Sequence, residues 1–407
     1  MERTILITII VILAGTYLLE VLLSVLNLRN SRKPMPAEIG DLYTPDKRTR
    51  QLQYQRTNIR FGILTNTIGL AFSLLMVCGG FAWLNNGLLS FTAVPLWHTL
   101  LFFVAYLALS NLVDLPASIY DTFYIEAKFG FNTTTPWTFA KDTVISFLLS
   151  LLMQCVLMTV LVLGWQWQPD WLWLSAWVVV SIIMVFLNLF YPKLIVPLFN
   201  KQTPLPEGEL REAIEAFARK ADFKVENIYV MDSSKRSTKA NAYFTGFGKR
   251  KRIVLYDTLI AQLTTDEIVA VLSHEIGHEK HRHTLRALGS SLMKMLLLFV
   301  LLGVILRYDV FTAAIGCYPT FVSKFIVFMI LYQPVSMILS VAGNVFSRRH
   351  EYQADAFAKE HGMGRQLVSS LKKMTVNDLG NPLPHPLTVF LTYSHPTLAE
   401  RIRHLES

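Results

Sequence analysis

Seven long apolar runs dominate this sequence, each close to the roughly 20 residues a helix needs to cross a bilayer. They are Thr4–Asn27, Phe61–Leu84, Leu96–Ile119, Thr143–Leu163, Trp171–Phe190, Ala287–Leu306 and Phe325–Val345. Lipid offers the backbone no hydrogen-bond partners, so each run must satisfy its own amides, which a helix does. With 52% hydrophobic and only 16% charged residues, the 407-residue chain is not a string of soluble domains. The first run is too long for a signal-peptide core. No small-residue cleavage site follows it in Ser24-Val25-Leu26-Asn27-Leu28-Arg29, so it is expected to be retained. Cys78, Cys155 and Cys317 fall in or beside apolar runs without metal-like spacing, and read as small core residues rather than a disulfide framework.

The net charge of +9 follows the membrane rather than nucleic acid, for which no partner role is expected. Eight basic residues (Arg29, Arg32, Lys33, Lys47, Arg48, Arg50, Arg56, Arg60) follow the first run, and none separates the second from the third. Lys128 and Lys141 follow the third run, while Trp165–Asp170 has no basic residue. The alternation predicts odd loops and the C-terminus in the cytoplasm, with the N-terminus outside. The lipid bilayer is thus an obligate partner: a bacterial inner membrane, or the endoplasmic reticulum if the cell is eukaryotic.

Four regions follow. Residues 1–199 hold spans one to five, 200–286 a soluble α+β segment, 287–345 spans six and seven, and 346–407 a soluble helical segment. In the first soluble segment, Glu209–Ala221 reads as an amphipathic helix, Val225–Asp232 as a strand and Ala240–Tyr256 as a hairpin. The basic hairpin tip, Gly246–Arg252, reads as a solvated turn near anionic headgroups rather than a nucleic-acid patch. Thr264 followed by Glu267 fits a capping box, ahead of an apolar stripe of Ile268, Val271 and Leu272. No proline interrupts the chain from there to Leu306, so this helix is expected to run straight into span six.

That helix carries His274-Glu275-Ile276-Gly277-His278. Residues four apart share a helix face, so His274 and His278 can present two imidazoles to one metal ion. Glu275 lies beside them, placed to act on an attacking water rather than to ligate. A catalytic zinc site needs a third protein ligand and an open position. Spans six and seven are joined by the short loop Arg307–Lys324, which returns the chain to the same membrane face. Glu351 is therefore the expected third ligand, and Asp355, one turn on, can accept from a ligand histidine and set its tautomer. His281 shares the metal face by periodicity and is a rival ligand. His283 falls elsewhere on a continuous helix and reads as a polar or headgroup contact.

Several segments carry a resemblance to a known family. They are Tyr191–Asn200, Ile125–Asn132, Asn241–Phe244, His274–His278, Ser347-Arg348 with Glu351–Ala356, and Ser394-His395-Pro396 with Glu400-Arg401. In these the chain resembles the type I CAAX prenyl proteases, seven-span integral-membrane zinc endopeptidases. The resemblance implies one Zn2+ held by His274, His278 and Glu351, with Glu275 as general base and Asp355 supporting a ligand. It implies that His395 contacts substrate or oxyanion, and that Asn241, Ala242 and Tyr243 form an edge strand on which the substrate lies extended. Independently of the family, an exposed strand edge can hold a substrate through main-chain hydrogen bonds with little sequence demand. For Arg401 a structural salt bridge fits at least as well as a catalytic duty.

The fold class implied is mostly α: seven transmembrane helices enclosing a chamber, with a small α+β zinc-peptidase domain on the cytoplasmic side. Glu20, Asn66, Asn111 and Asp114 lie within predicted spans, where polar groups face a bundle interior or water. The expected function is zinc-dependent cleavage near the C-terminus of prenylated CAAX-type peptides or proteins. Two alternatives stay open here: a quality-control protease with no prenyl requirement, and a seven-span transporter or receptor with a structural metal.

Overall fold

The computed structural model describes residues 1–224, 227–245 and 252–407. Among the described residues, seven helices are long and apolar enough to cross a membrane. They are Glu2–Asn30, Pro45–Leu89, Pro95–Glu126, Pro136–Trp167, Pro169–Phe199, His283–Ile305 and Phe321–Glu360, and each contains nearly all of one apolar run. Pro45, Pro95 and Pro136 open their helices at the first turn, where a missing N–H removes no helical hydrogen bond. Thr44 and Thr135 cap two of these starts, accepting the N–H of Lys47 and Thr138.

Each span packs against the next in sequence, and the seventh packs back against the first, closing a ring. The ring's buried apolar side chains gather at one end. Ile9, Phe81, Phe102, Leu161, Leu172, Leu302 and Phe321, one from each span, belong to that cluster. This is the end where span one begins and span seven begins, opposite the end that Glu351 reaches. Along the most apolar window of each span, at most 22% is buried by protein. The helices therefore form a ring whose largest buried apolar cluster lies at the far end.

At the other end lies a four-stranded sheet of β1 (Gln202–Pro204), β2 (Asn227–Met231), β3 (Ala242–Thr245) and β4 (Arg252–Tyr256). Its order is β1-β2-β4-β3, with β2 and β4 parallel and the outer pairs antiparallel. The predicted Val225–Asp232 strand is observed as β2, with Val225 and Glu226 outside the described residues. The predicted hairpin is the β3–β4 pair, and its basic tip, 246–251, also lies outside them. β1 and the parallel pairing bring together segments far apart in sequence, which alternation alone does not reveal. β4 is central, with Ile253, Val254 and Leu255 fully buried, and β3 is an edge. Helix Glu209–Lys220 and the motif helix Thr265–Lys280 share a core with the sheet through Ile214, Phe217, Ile268, Leu272 and Ile276. Burying each such side chain stabilises by about 1.5–3 kcal/mol.

The motif helix opens as its sequence requires, since the Glu267 carboxylate accepts the Thr264 N–H at 2.9 Å in a complete capping box. It does not run on into span six. It stops at Lys280, Arg282 adopts a left-handed conformation (φ 56°), and a new helix begins at His283. Nothing in the local sequence forces this break, which costs roughly 1–2 kcal/mol. Its compensation is tertiary: His283 turns inward to 4% exposure and meets His278. His281 is left exposed at the helix end, outside the cluster of metal-binding groups.

Glu267 also ties this helix to the C-terminal segment, accepting from Ser369 Oγ at 2.7 Å and Lys373 Nζ at 2.8 Å. Burial opposes its ionisation, but Lys373, Ser369 and the Thr264 N–H together hold its carboxyl down to about 2. The folded value lies below the unfolded one, near 4.5, so this stabilisation is complete above pH 4.5 and is lost as pH falls towards 2. Glu267→Gln is expected to lower stability in detergent at pH 7 by about 1–2 kcal/mol. Thermal melts should show the gap to wild type narrowing between about pH 4.5 and about pH 2; a gap independent of pH would refute the assignment.

Candidate metal centre

The motif helix and the helix of span seven, Phe321–Glu360, touch at Gly277. A Cβ there would lie 3.0 Å from Ala354 Cα and 3.0 Å from Phe357 Cβ, so only glycine permits this approach without displacing backbone. One turn before Ala354, Glu351 then reaches the face on which His274 and His278 stand. His274 Nε2 and His278 Nε2 are 3.1 Å apart. Glu351 Oε2 lies 3.4 Å from His274 Nε2, and Glu351 Oε1 lies 3.2 Å from His278 Nε2.

These residues fit a zinc ion on three counts. Donors about 2.0–2.1 Å from a tetrahedral zinc lie about 3.3 Å from one another; here each histidine Nε2 has a different Glu351 oxygen at 3.2–3.4 Å, and one donor atom from each of the three residues lies within 4.8 Å of the others. Glu351 is 4% exposed, and its Oε2 makes no hydrogen bond among the described residues, with Arg401 Nη1 3.8 Å away; a closer cation would offset the cost of burying it. Finally, Arg401 pairs with Asp355 at 2.6 Å and approaches Glu351 Oε2 at 3.8 Å. Two carboxylates against one guanidinium leave one negative charge, which a bound cation offsets.

Asp355 is fully buried, with Oδ1 2.8 Å from His274 Nδ1. Arg401 donates to both its oxygens, from Nε at 2.9 Å and Nη2 at 2.6 Å. A carboxylate so placed can accept a proton from His274 Nδ1, which would leave Nε2 unprotonated. Burial works against the charge on Arg401, but Asp355, Glu351 and Glu275 raise its pKa above the ordinary value. Arg401 is thus a salt-bridge residue within the site itself. It is delivered by helix Leu398–Glu406, whose start is fixed by a Thr397–Glu400 capping box. Glu275 is half-buried on the motif helix and is not one of the three converging donors.

His395 reaches the same place from the C-terminal segment, with Nε2 3.4 Å from Glu351 Oε1 and 63% of its side chain exposed. Ser394 Oγ lies 2.9 Å from its Nδ1. On the edge strand β3, which packs against the motif helix, Ala242 faces the core at 8% exposure. Asn241, just before the strand, is exposed, and its Oδ1 accepts the Ala242 N–H at 2.8 Å. Tyr243 is half-buried, accepts from Gln202 Nε2 at 3.2 Å, and has its phenol pushed up to about 12 by burial. Tyr243 also borders a cavity of about 1150 Å³ that extends past Glu279 to Met153, Met184 and Leu187 of spans four and five. Of the polar residues within the spans, Asn66 Nδ2 donates to Glu20 Oε2 at 2.9 Å, and Asn111 bonds its own helix backbone.

Three contributors escaped the sequence reading: Gly277 as the helix contact, and His283 with Gln353 behind His278. His283 lies five residues after His278, which is off-face on a continuous helix; only the break at Arg282 reveals it.

Residues 24–201 match a family model described as CAAX prenyl protease N-terminal, five membrane helices, and residues 204–407 match Peptidase family M48. The chain belongs to the CAAX prenyl protease family. It is 33% identical to the CAAX prenyl protease 1 homolog of Homo sapiens, over 92% of this chain and 89% of that protein. It is 37% identical to CAAX prenyl protease 1 of Saccharomyces cerevisiae, over 74% of this chain and 70% of that one. The crystal structure of S. mikatae Ste24p matches with a TM-score of 0.94 and 30% identity, covering 99% of each chain. This CAAX prenyl protease is therefore a multi-pass membrane metalloprotease, and the reading as a transporter or receptor falls.

Gly277→Ala is expected to push the two helices apart at an overpacking cost of about 1–3 kcal/mol. It should lower both the melting temperature and the metal content of the purified protease. Gly289→Ala, where a Cβ meets nothing within 4 Å, is the control expected to change neither. Full metal content in Gly277→Ala would mean the crossing does not set the ligand geometry.

Proposed function

We propose that this protease is a zinc endopeptidase that cleaves near the C-terminus of prenylated CAAX-type peptides or proteins. The observation that carries the reading is the convergence of two imidazoles and one buried carboxylate within 4.8 Å of one another, at the end of a seven-span ring and beside a sheet edge. His274, His278 and Glu351 would hold the Zn2+. A bound zinc ion supplies Lewis acidity, polarising the scissile carbonyl and acidifying a water. Glu275, free of ligation, takes the proton of the attacking water and passes it to the leaving amine. Asp355, clamped by Arg401, keeps His274 in the ligating tautomer. His395, exposed beside Glu351, donates a hydrogen bond to the developing oxyanion. The main chain of Asn241, Ala242 and Tyr243 adds the substrate to the sheet as an extended strand.

Residues 200–286 and 346–407 act as the catalytic part, with 1–199 and 287–345 as the membrane part. The ring of spans encloses a chamber, with Glu20, Asn66, Asn111 and Asp114 on its wall; the low burial of the spans supports this. The prenyl requirement is supported by the relatives named CAAX prenyl proteases. The active site faces the cytoplasm, of a bacterial inner membrane or, in a eukaryote, of the endoplasmic reticulum. The basic segment after span one supports this side, because its Glu38 pairs with Arg403 of the C-terminal helix at 3.0 Å.

The protein purified in detergent is expected to hold about one zinc per chain and to cleave a farnesylated CAAX peptide in preference to the unlipidated one. Glu275→Gln should keep the zinc and lose roughly 10²–10⁴-fold in turnover, whereas Glu351→Ala should lower zinc occupancy. Equal cleavage of both peptides would overturn the prenyl reading in favour of a general quality-control protease. Absence of zinc and of cleavage would overturn both.

A further inference from the structure

We propose that His283 and Gln353 are positioning residues that fix the tautomer and ring orientation of His278. The inference rests on His278 being a metal ligand, as argued above. His278 presents Nε2 to the cluster, 3.1 Å from His274 Nε2, while its Nδ1 lies 2.9 Å from His283 Nδ1. Two imidazole nitrogens at that separation share one proton. A ligating Nε2 must keep its lone pair, so the proton of His278 sits on Nδ1 and is donated to His283 Nδ1. His283, accepting there, carries its own proton on Nε2 and donates it to Gln353 Oε1 at 2.8 Å. Ligation at one end thus dictates the hydrogen-bonding role of every nitrogen in the chain.

The surroundings hold this chain in place. The His283 ring is 4% exposed and stacks on His350, with centroids 4.0 Å apart and planes at 12°. On its way into the bilayer the backbone adopts the left-handed Arg282 conformation, and that break is what turns His283 towards His278. Gln353 follows Glu351 by two residues on the same helix. One element therefore supplies both the third ligand and the end of the relay. The two ligand histidines are consequently unequal. His274 is backed by a buried carboxylate, whereas His278 is backed by a neutral imidazole and an amide.

The test is the zinc dissociation constant of the full-length protein in detergent, measured by competition with a chelator of known affinity. His283→Phe keeps the stacked ring but removes the acceptor, and should weaken zinc by about 10–100-fold. His283→Asn restores an acceptor near the Nδ1 position, and should bind zinc within a few-fold of the parent. Melting of the metal-free proteins should be similar for the two variants. Equal zinc affinity in His283→Phe and the parent overturns the proposal, as does a His283→Asn variant as weak as His283→Phe. If His283→Phe does not fold, Gln353→Leu against Gln353→Glu decides. The leucine should weaken zinc and the glutamate should retain it, and equal affinities refute the relay. A parent that binds no zinc overturns this inference and the zinc reading together, whereas a zinc-binding parent with unaffected variants overturns this one alone.

Discussion

The close crossing of two helices at Gly277 is the contact on which the centre depends. One helix brings two imidazoles from the soluble segment, and the other brings a carboxylate back from the membrane. Donor atoms 3.1–3.4 Å apart tolerate little displacement. A helix pair separated by one methyl group would lose that spacing, because cores respond to added volume by moving backbone. Glycine at this point is therefore a requirement of the site rather than a flexible joint.

Around that contact the protein buries charge on a scale that packing alone does not reward. Arg401 and Asp355 form a two-point ion pair at 2.6–2.9 Å in the interior, and such pairs seldom repay their desolvation. What they supply is geometry: the guanidinium holds Asp355 at two points, and Asp355 lies 2.8 Å from His274 Nδ1. Among the described residues the spans' largest buried apolar cluster lies at the end away from the site. The sheet edge at β3 stands beside the motif helix at the opposite end.

Much of this was legible beforehand. The seven spans came from run length, because lipid leaves the backbone no alternative to a helix. Thr264 and Glu267 marked the helix start because a cap is a local hydrogen bond, and Glu351 followed from the return of a two-span hairpin to one face. The miss at Lys280–His283 has the opposite origin. No glycine or proline stands there, and the local sequence favours continuing the helix. The left-handed residue at Arg282 is sustained by contacts of His283 with residues in another helix, which helical periodicity does not encode. Similarly, β1 and the parallel β2–β4 pair join segments whose alternation says nothing about which neighbour they choose.

The sequence by itself determined the number of helices long enough to cross a membrane, the helical face shared by His274 and His278, and the return of Glu351 to the same end of the ring as those histidines. These depend on length, period and local capping, all properties of contiguous residues. Only the tertiary structure decided that Gly277 sets the helix approach, that Arg401 closes on Asp355, and that His283 backs His278 while His281 does not. Those outcomes depend on distances between atoms far apart in the chain, and a one-residue break in a helix is enough to reverse them.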